Sequence, residues 1–217
     1  SIDSICSITK YDEEIALRIR EAEEKTDHLE DILGTYLVKL TSTQLGENES
    51  AKATEYMKLI GDYERIADHA VNILQSSEEL VQKDIVFSAE AQEEFNKISG
   101  AVEDILDLSY LAFKDTDLKA AHETEPLEQI VDEMKEMLRT RHILRLQKGE
   151  CSVDAGFVWS DLLTNLERVA DHCSNISGCV LDTVGHTMNI HQNQRLLRNN
   201  EEDYRQELQK LRVKYKV

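Results

Sequence analysis

Two ten-residue stretches carry the groups best suited to chemistry in this chain. Residues 64–73 read ERIADHAVNI and residues 167–176 read ERVADHCSNI, with seven of ten positions identical. On a helix, residues four apart stand one above the other, so Glu64, Asp68 and Asn72 form one stripe of oxygen donors and Glu167, Asp171 and Asn175 a second. Each copy follows an acid-x-x-x-acid step, Glu23 with Asp27 and Glu128 with Asp132, and these steps stand 105 residues apart. If antiparallel helices set the stripes face to face, four carboxylates converge in each half.

Crowded carboxylates repel one another and hold protons more tightly unless a cation neutralises them. Arg65 and Arg168 supply one positive charge per motif, too little for four carboxylates, and a bound metal is the natural complement. Hard oxygen donors select Mg²⁺, Ca²⁺, Mn²⁺ or iron over soft-ligand ions, and bridging carboxylates favour a multinuclear site. The plainer reading is an intrahelical ladder in which Arg65 pairs with Asp68, worth only about 0.2–0.5 kcal/mol per pair. One copy of the motif favours the ladder; two copies, each with its upstream acid pair in register, favour the metal. Glu24, Asp31, Asp62 and Asp161 are expected in solvent or in support of the ligands. His69 and His172 directly follow the motif aspartates, about 100° around the helix from the stripe, and are expected as satisfied surface histidines. His186 and His191 lie in a polar segment and look incidental.

Long helices must position these groups. With 217 residues, one Pro and eight Gly, the composition is that of an all-α chain. The caps and polar breaks predict helices from Asp12 to about Lys39, over 47–82, from Ser88 to about Lys114, from Asp117 to about Leu146 and over 154–183, then a short helix over 201–214. Pro126 should kink the fourth or mark its true start. Ile15, Ile19, Leu29, Leu33, Tyr36 and Leu40 form the expected apolar face of the first long helix. Ile5, Ile8 and Asp12 fall on Tyr110, Phe113 and Asp117 at the same spacing of 105, so the register spans two helices in each half. The division this predicts is a first repeat over 1–86, a second over 87–185, and a polar segment with a C-terminal helix over 186–217. Only Ser1–Thr9 remains of the first helix of the first repeat, as in a piece of something longer.

A formal charge of −18 repels nucleic acid over most of the surface. Cys6, Cys151, Cys173 and Cys179 include no C-x-x-C pair and read as thiols in a reducing compartment. No run reaches the roughly 18 apolar residues of a membrane span. The four basic residues of the C-terminus, Lys210, Arg212, Lys214 and Lys216, are expected in solvent or against anionic lipid. Nucleophile motifs and phosphate-cradling Gly loops are absent, and no enzyme is expected. Two other functions fit less well: a metal-free helical adaptor with an acidic face for a basic partner, and a ferritin-like di-metal enzyme. The enzyme would want Glu-x-x-His on two helices, and the chain has none.

The doubled Glu-Arg-(Ile/Val)-Ala-Asp-His-x-x-Asn-Ile motif with its acid-x-x-x-Asp steps resembles the PhoU family. Asp27-His28-Leu29-Glu30-Asp31 and Tyr36-Leu37-Val38-Lys39-Leu40 resemble, more narrowly, the PhoU-like cytoplasmic domain of bacterial Na⁺/phosphate-cotransporter-family proteins. The resemblance implies two three-helix bundles related by a pseudo-twofold, and a regulatory role in phosphate uptake or phosphate signalling. It implies multinuclear iron or zinc held by Glu23, Asp27, Glu64 and Asp68 in one half and by Glu128, Asp132, Glu167 and Asp171 in the other, with manganese or magnesium as substitutes. Asn72, Asn175, Arg65 and Arg168 would support them. The implied partner is a membrane transporter portion of the same or another protein, at the cytoplasmic face of the cell membrane, with a homo-oligomer as a further possibility.

Overall fold

A computed structural model of the chain describes residues 1–43, 46–185 and 204–216, and all regular structure among them is helical. The elements are α1 (Ile2–Ser7), α2 (Glu13–Thr41), α3 (Glu47–Gln82), α4 (Ala89–Asp115), α5 (Leu118–Gln147), α6 (Val153–Gly185) and α7 over 204–215. Helices α1–α3 form one bundle and α4–α6 a second, and α3 packs along α6 between them.

The helix starts follow side-chain chemistry. Asp12 Oδ1 accepts from the Glu14 and Ile15 amides at 2.9 and 3.2 Å, and Asp117 Oδ1, at the matching position, accepts from Lys119 and Ala120 at 2.9 and 3.1 Å. Ser88 caps α4 through the Ala91 amide. Between α4 and α5 the chain reverses on Thr116, whose left-handed backbone ends the helix as glycine more often does. Pro126 lies eight residues inside α5, so it does not mark the helix start. Two residues before it, Thr124 shares a hydrogen bond of 2.9 Å with Ser177, fastening α5 to α6.

The second bundle holds most of the core. Ile98, Val102 and Ile105 from α4 meet Ile130, Met134 and Leu138 from α5 and Leu162, Leu166 and Val169 from α6, all at 1% exposure or less. The first bundle is built from the same register but is covered at one end only, because α1 is one and a half turns long where α4 runs the whole length of α5 and α6. Leu29, Leu33 and Tyr36, expected on a buried face, are therefore exposed, and in this half of α2 only Leu37 is buried. Leu138, the counterpart of Leu33, is buried beneath α4.

Helix α7 lies against α4 and α5 through Leu208 and Tyr215. Of its basic residues, Lys210, Lys214 and Lys216 are exposed as expected, but Arg212 makes a two-pronged bond to Glu133 at 3.0 and 2.7 Å, and Lys214 and the Tyr215 hydroxyl both bond Asp104. The four cysteines are free, Cys173 buried and Cys6 exposed. His186, His191 and most of the polar segment lie outside the described residues.

Candidate metal centres

One acid of each pair, Glu23 on α2 and Glu128 on α5, faces a motif aspartate, Asp68 on α3 and Asp171 on α6. In the first half, Glu23 of α2 feels the charge of Asp68 of α3, and burial, Asp68, Asp27 and Glu24 together push its pKa up. Glu64 is pushed up by burial and by Asp68 one turn along, against the pull of Arg65, whose Nε lies 3.5 Å away. Glu30, a residue the motif did not single out, also faces Glu64 and adds to the crowding.

In the second half, Glu128 of α5 faces Asp171 of α6. Burial first, then Asp171, Asp132 and Glu125, push the Glu128 carboxyl up to about 7. Arg168 bonds Asp171 at 3.0 Å and lies 3.7 Å from Glu167. The ion-pair ladder expected as the plainer reading therefore does form here, alongside the facing carboxylates.

The halves differ at one position. Counting 105 from Glu30 gives Lys135, whose Nζ lies 3.2 Å from Glu167 and 3.9 Å from Asp132. The second half thus carries an internal ammonium where the first carries a fifth carboxylate. Applying the repeat spacing to residues beyond the motif would have revealed this exchange.

The donor chemistry fits a hard cation best in the first half, where Glu23, Asp27, Glu30, Glu64 and Asp68 offer oxygens only and Arg65 is well exposed. In the second, Glu167 Oε2 is buried with no hydrogen-bond partner among the described residues, a place that a cation would satisfy, although Arg168 Nε lies 3.7 Å from it and Lys135 already sits on its other oxygen. Among the described residues no three Asp, Glu, His or Cys side chains are gathered tightly enough to hold an ion together. The carboxylates stand as facing pairs.

The motif histidines and Asn175 belong to the seam between the bundles. His69 Nδ1 donates to Asn165 Oδ1 at 2.9 Å, an orientation fixed because the Asn165 amide nitrogen donates to the Asp161 carbonyl. His172 Nδ1 donates to Asp62 at 2.9 Å, and Asn175 Nδ2 donates to the same oxygen at 3.2 Å. The motif copies are 103 residues apart, and at that spacing Asp62 is the counterpart of Asn165, so the two histidine bonds are images of each other. The His69 and His172 rings stack at 5.7 Å between them, where the pseudo-twofold passes. Asp62, expected in solvent or in support of the ligands, is a half-buried acceptor of this seam, and Asn175 presents its amide to Asp62. Asn72 is exposed.

A protein-family model described as "PhoU domain" matches residues 2–77 and again 95–180. Among curated proteins, the chain is 25% identical over 178 residues to a phosphate-specific transport system accessory protein PhoU homolog 1 of Thermotoga maritima, covering 80% of this chain and 75% of that one. Among solved structures, PhoU of Pseudomonas aeruginosa aligns with a TM-score of 0.78 at 19% identity, over 85% of this chain and 88% of that one. The phosphate transport system regulatory protein PhoU of Streptococcus pneumoniae aligns at 0.67 and 18% identity, over 83% and 84%. The family model finds the repeat twice, once in each bundle and each time across the facing carboxylates, and the chain belongs to the PhoU domain family.

Proposed function

We propose that this protein is an accessory regulator of phosphate uptake that binds divalent or trivalent metal between α2 and α3 and between α5 and α6. The observation that carries the reading is the meeting of Glu23 with Asp68 and of Glu128 with Asp171 at equivalent places in both repeats. Glu64, Asp27, Asp132 and Glu167 would complete the two ligand sets. A multinuclear iron or zinc site there would supply fixed positive charge that ties two helices together, a structural and signalling role. The Thermotoga maritima relative is named as an accessory protein of phosphate-specific transport, which supports the regulatory reading. No helix among the described residues is long and apolar enough to cross a membrane. Regulation would then run through a transporter portion at the inner face of the cell membrane, joined to this domain or bound by it, as in a Na⁺/phosphate cotransporter-like protein.

The test is phosphate uptake in cells whose own copy is replaced by Glu64→Ala/Asp68→Ala or Glu128→Ala/Asp171→Ala. Uptake should lose its response to external phosphate at unchanged protein abundance. An unaltered response in both variants would exclude the carboxylates from regulation. A metal-free acidic adaptor is the second reading, favoured by the carboxylates standing as pairs, and it predicts tight binding of a basic partner by chelator-treated protein.

A further inference from the structure

A cavity of about 660 Å³ opens at the end of the second bundle, lined among others by Lys83, Ser88, His142, Arg145, Cys151 and Ser152. Arg145 on its wall lies 17 residues along α5 from Glu128, about 25 Å along the helix axis from the Glu128–Asp171 pair. Arg145 is its buried charge, with a side chain 6% exposed. Its Nη1 is 2.8 Å from Glu94 Oε2 but out of line for a hydrogen bond, and Nε and Nη2 have no hydrogen-bond partner among the described residues. The guanidinium stands over the Trp159 ring at 5.7 Å, and the Trp159 Nε1 is likewise buried without a partner.

Glu94 is shared. Arg141 donates to its other oxygen at 3.2 Å, and Glu90 lies 4.0 Å from Arg145 Nη1, so two carboxylates balance the two arginines while Arg145 Nε and Nη2 still lack an acceptor among the described residues. Burial, and then the Arg145 charge, push the pKa of His142 down and keep its imidazole neutral. The first turns of α4 and α6 both border the cavity at Ser88 and Ser152, bringing two positive helix ends to one place. A buried guanidinium short of acceptors is an unfavourable arrangement unless an anion completes it. None of this belongs to the bundle as such: in the first repeat the register places Leu40, Leu37 and Tyr56 where the second has Arg145, His142 and Trp159.

We propose that this cavity binds a compact oxyanion that still carries a proton, with orthophosphate as the ligand. Asp84, Glu150 and Asp154 also line it. They repel a fully ionised anion, but they accept hydrogen bonds from a P–OH group, which selects hydrogen phosphate over sulfate. Arg145 takes the unprotonated oxygens, and His142 lines the same wall with its Nε2 3.9 Å from Cys151 Sγ. The assignment takes from the regulatory reading only the choice of phosphate, and it uses no metal ligand.

The experiment is calorimetric titration of the full chain with orthophosphate at pH 7 and constant ionic strength, with Trp159, the single tryptophan, followed by its emission. The expected result is saturable one-to-one binding, at least about tenfold weaker for sulfate, and equal in the metal-site variants Asp68→Ala and Asp171→Ala. Arg145→Gln should abolish it. Because a buried charge is removed there, Cys151→Glu provides the second variant: it adds a carboxylate at a half-exposed wall position and should weaken phosphate at least about tenfold in a folded protein. Heats without saturation, equal binding of sulfate, or undiminished binding by Cys151→Glu would each overturn the assignment. Since the metal-site variants keep this cavity, loss of phosphate binding and loss of metal binding are read separately.

Discussion

Lys135 Nζ lies 3.2 Å from Glu167 Oε1, in the place that Glu30 holds opposite Glu64 in the first half. An ammonium there does part of what a metal would do, so the halves should differ in affinity. Titration with Mn²⁺ should resolve a tighter first site and a weaker second. Lys135→Ala should strengthen the second by about tenfold, or about 1.4 kcal/mol, with the first unchanged. Two equal sites unaffected by Lys135→Ala would contradict this asymmetry.

Without metal, the second site should make stability depend on pH. The Glu128 pKa is raised from its ordinary 4.5 to about 7 in the folded protein, so the folded state binds the proton more tightly than the unfolded one. Stability from this group is complete below about pH 4.5 and is lost as pH rises through about 7. Glu23 and Glu64 act in the same sense. Urea melts in chelator should show Glu128→Gln more stable than wild type by about 1–2 kcal/mol at pH 8 and little different at pH 5, after allowance for solvent screening. Metal binding should release protons near pH 7 for the same reason. A variant that tracks the wild type at every pH would show that Glu128 is not held under strain by its neighbours.

How much of this was legible in the sequence depended on whether the signal was local. The caps Asp12, Ser88 and Asp117 and the limits of α3 are visible in the chain because capping is a two- or three-residue interaction. Pro126 does not mark a helix start, because the Asp117 cap nine residues upstream already begins α5. The facing of Glu23 and Asp68 could be read from two stripes in register. The seam role of Asp62 could not be read from Asp62 alone, since its counterpart is Asn165 and only the chain-crossing bonds relate them. Arg145 and Glu94 were hidden among the many charges of α4 and α5, where nothing local marks which ion pair is buried.

The unequal cover of the two bundles should appear in stability. Leu138 is 1% exposed and Leu33, its counterpart, 43%. Leu138→Ala should destabilise the protein by about 2–5 kcal/mol, and Leu33→Ala by less than about 1 kcal/mol. Chemical denaturation checks both, and equal losses would mean that α2 is covered as fully as α5.

The seam should hold the bundles together without touching metal. Asp62→Ala removes the acceptor of His172 and Asn175 and should cost about 1–2 kcal/mol, with a coupling of about 0.5–1.5 kcal/mol to His172→Ala in a double-mutant cycle. Metal content should stay at the wild-type level in both. Strict additivity would contradict the bond, and loss of metal in His172→Ala would place the histidine among the ligands.

Elemental analysis of protein purified without chelator and then offered iron, manganese and zinc, set beside Asp68→Ala and Asp171→Ala, tests the central claim most directly. Wild type should retain metal and melt higher with it than without. Asp68→Ala should lose most of that metal and Asp171→Ala the smaller share held where Lys135 already stands. A wild-type protein that takes up no metal from any of the three, and melts at one temperature throughout, would contradict the account and leave facing carboxylates balanced by Arg65, Lys135 and Arg168 alone.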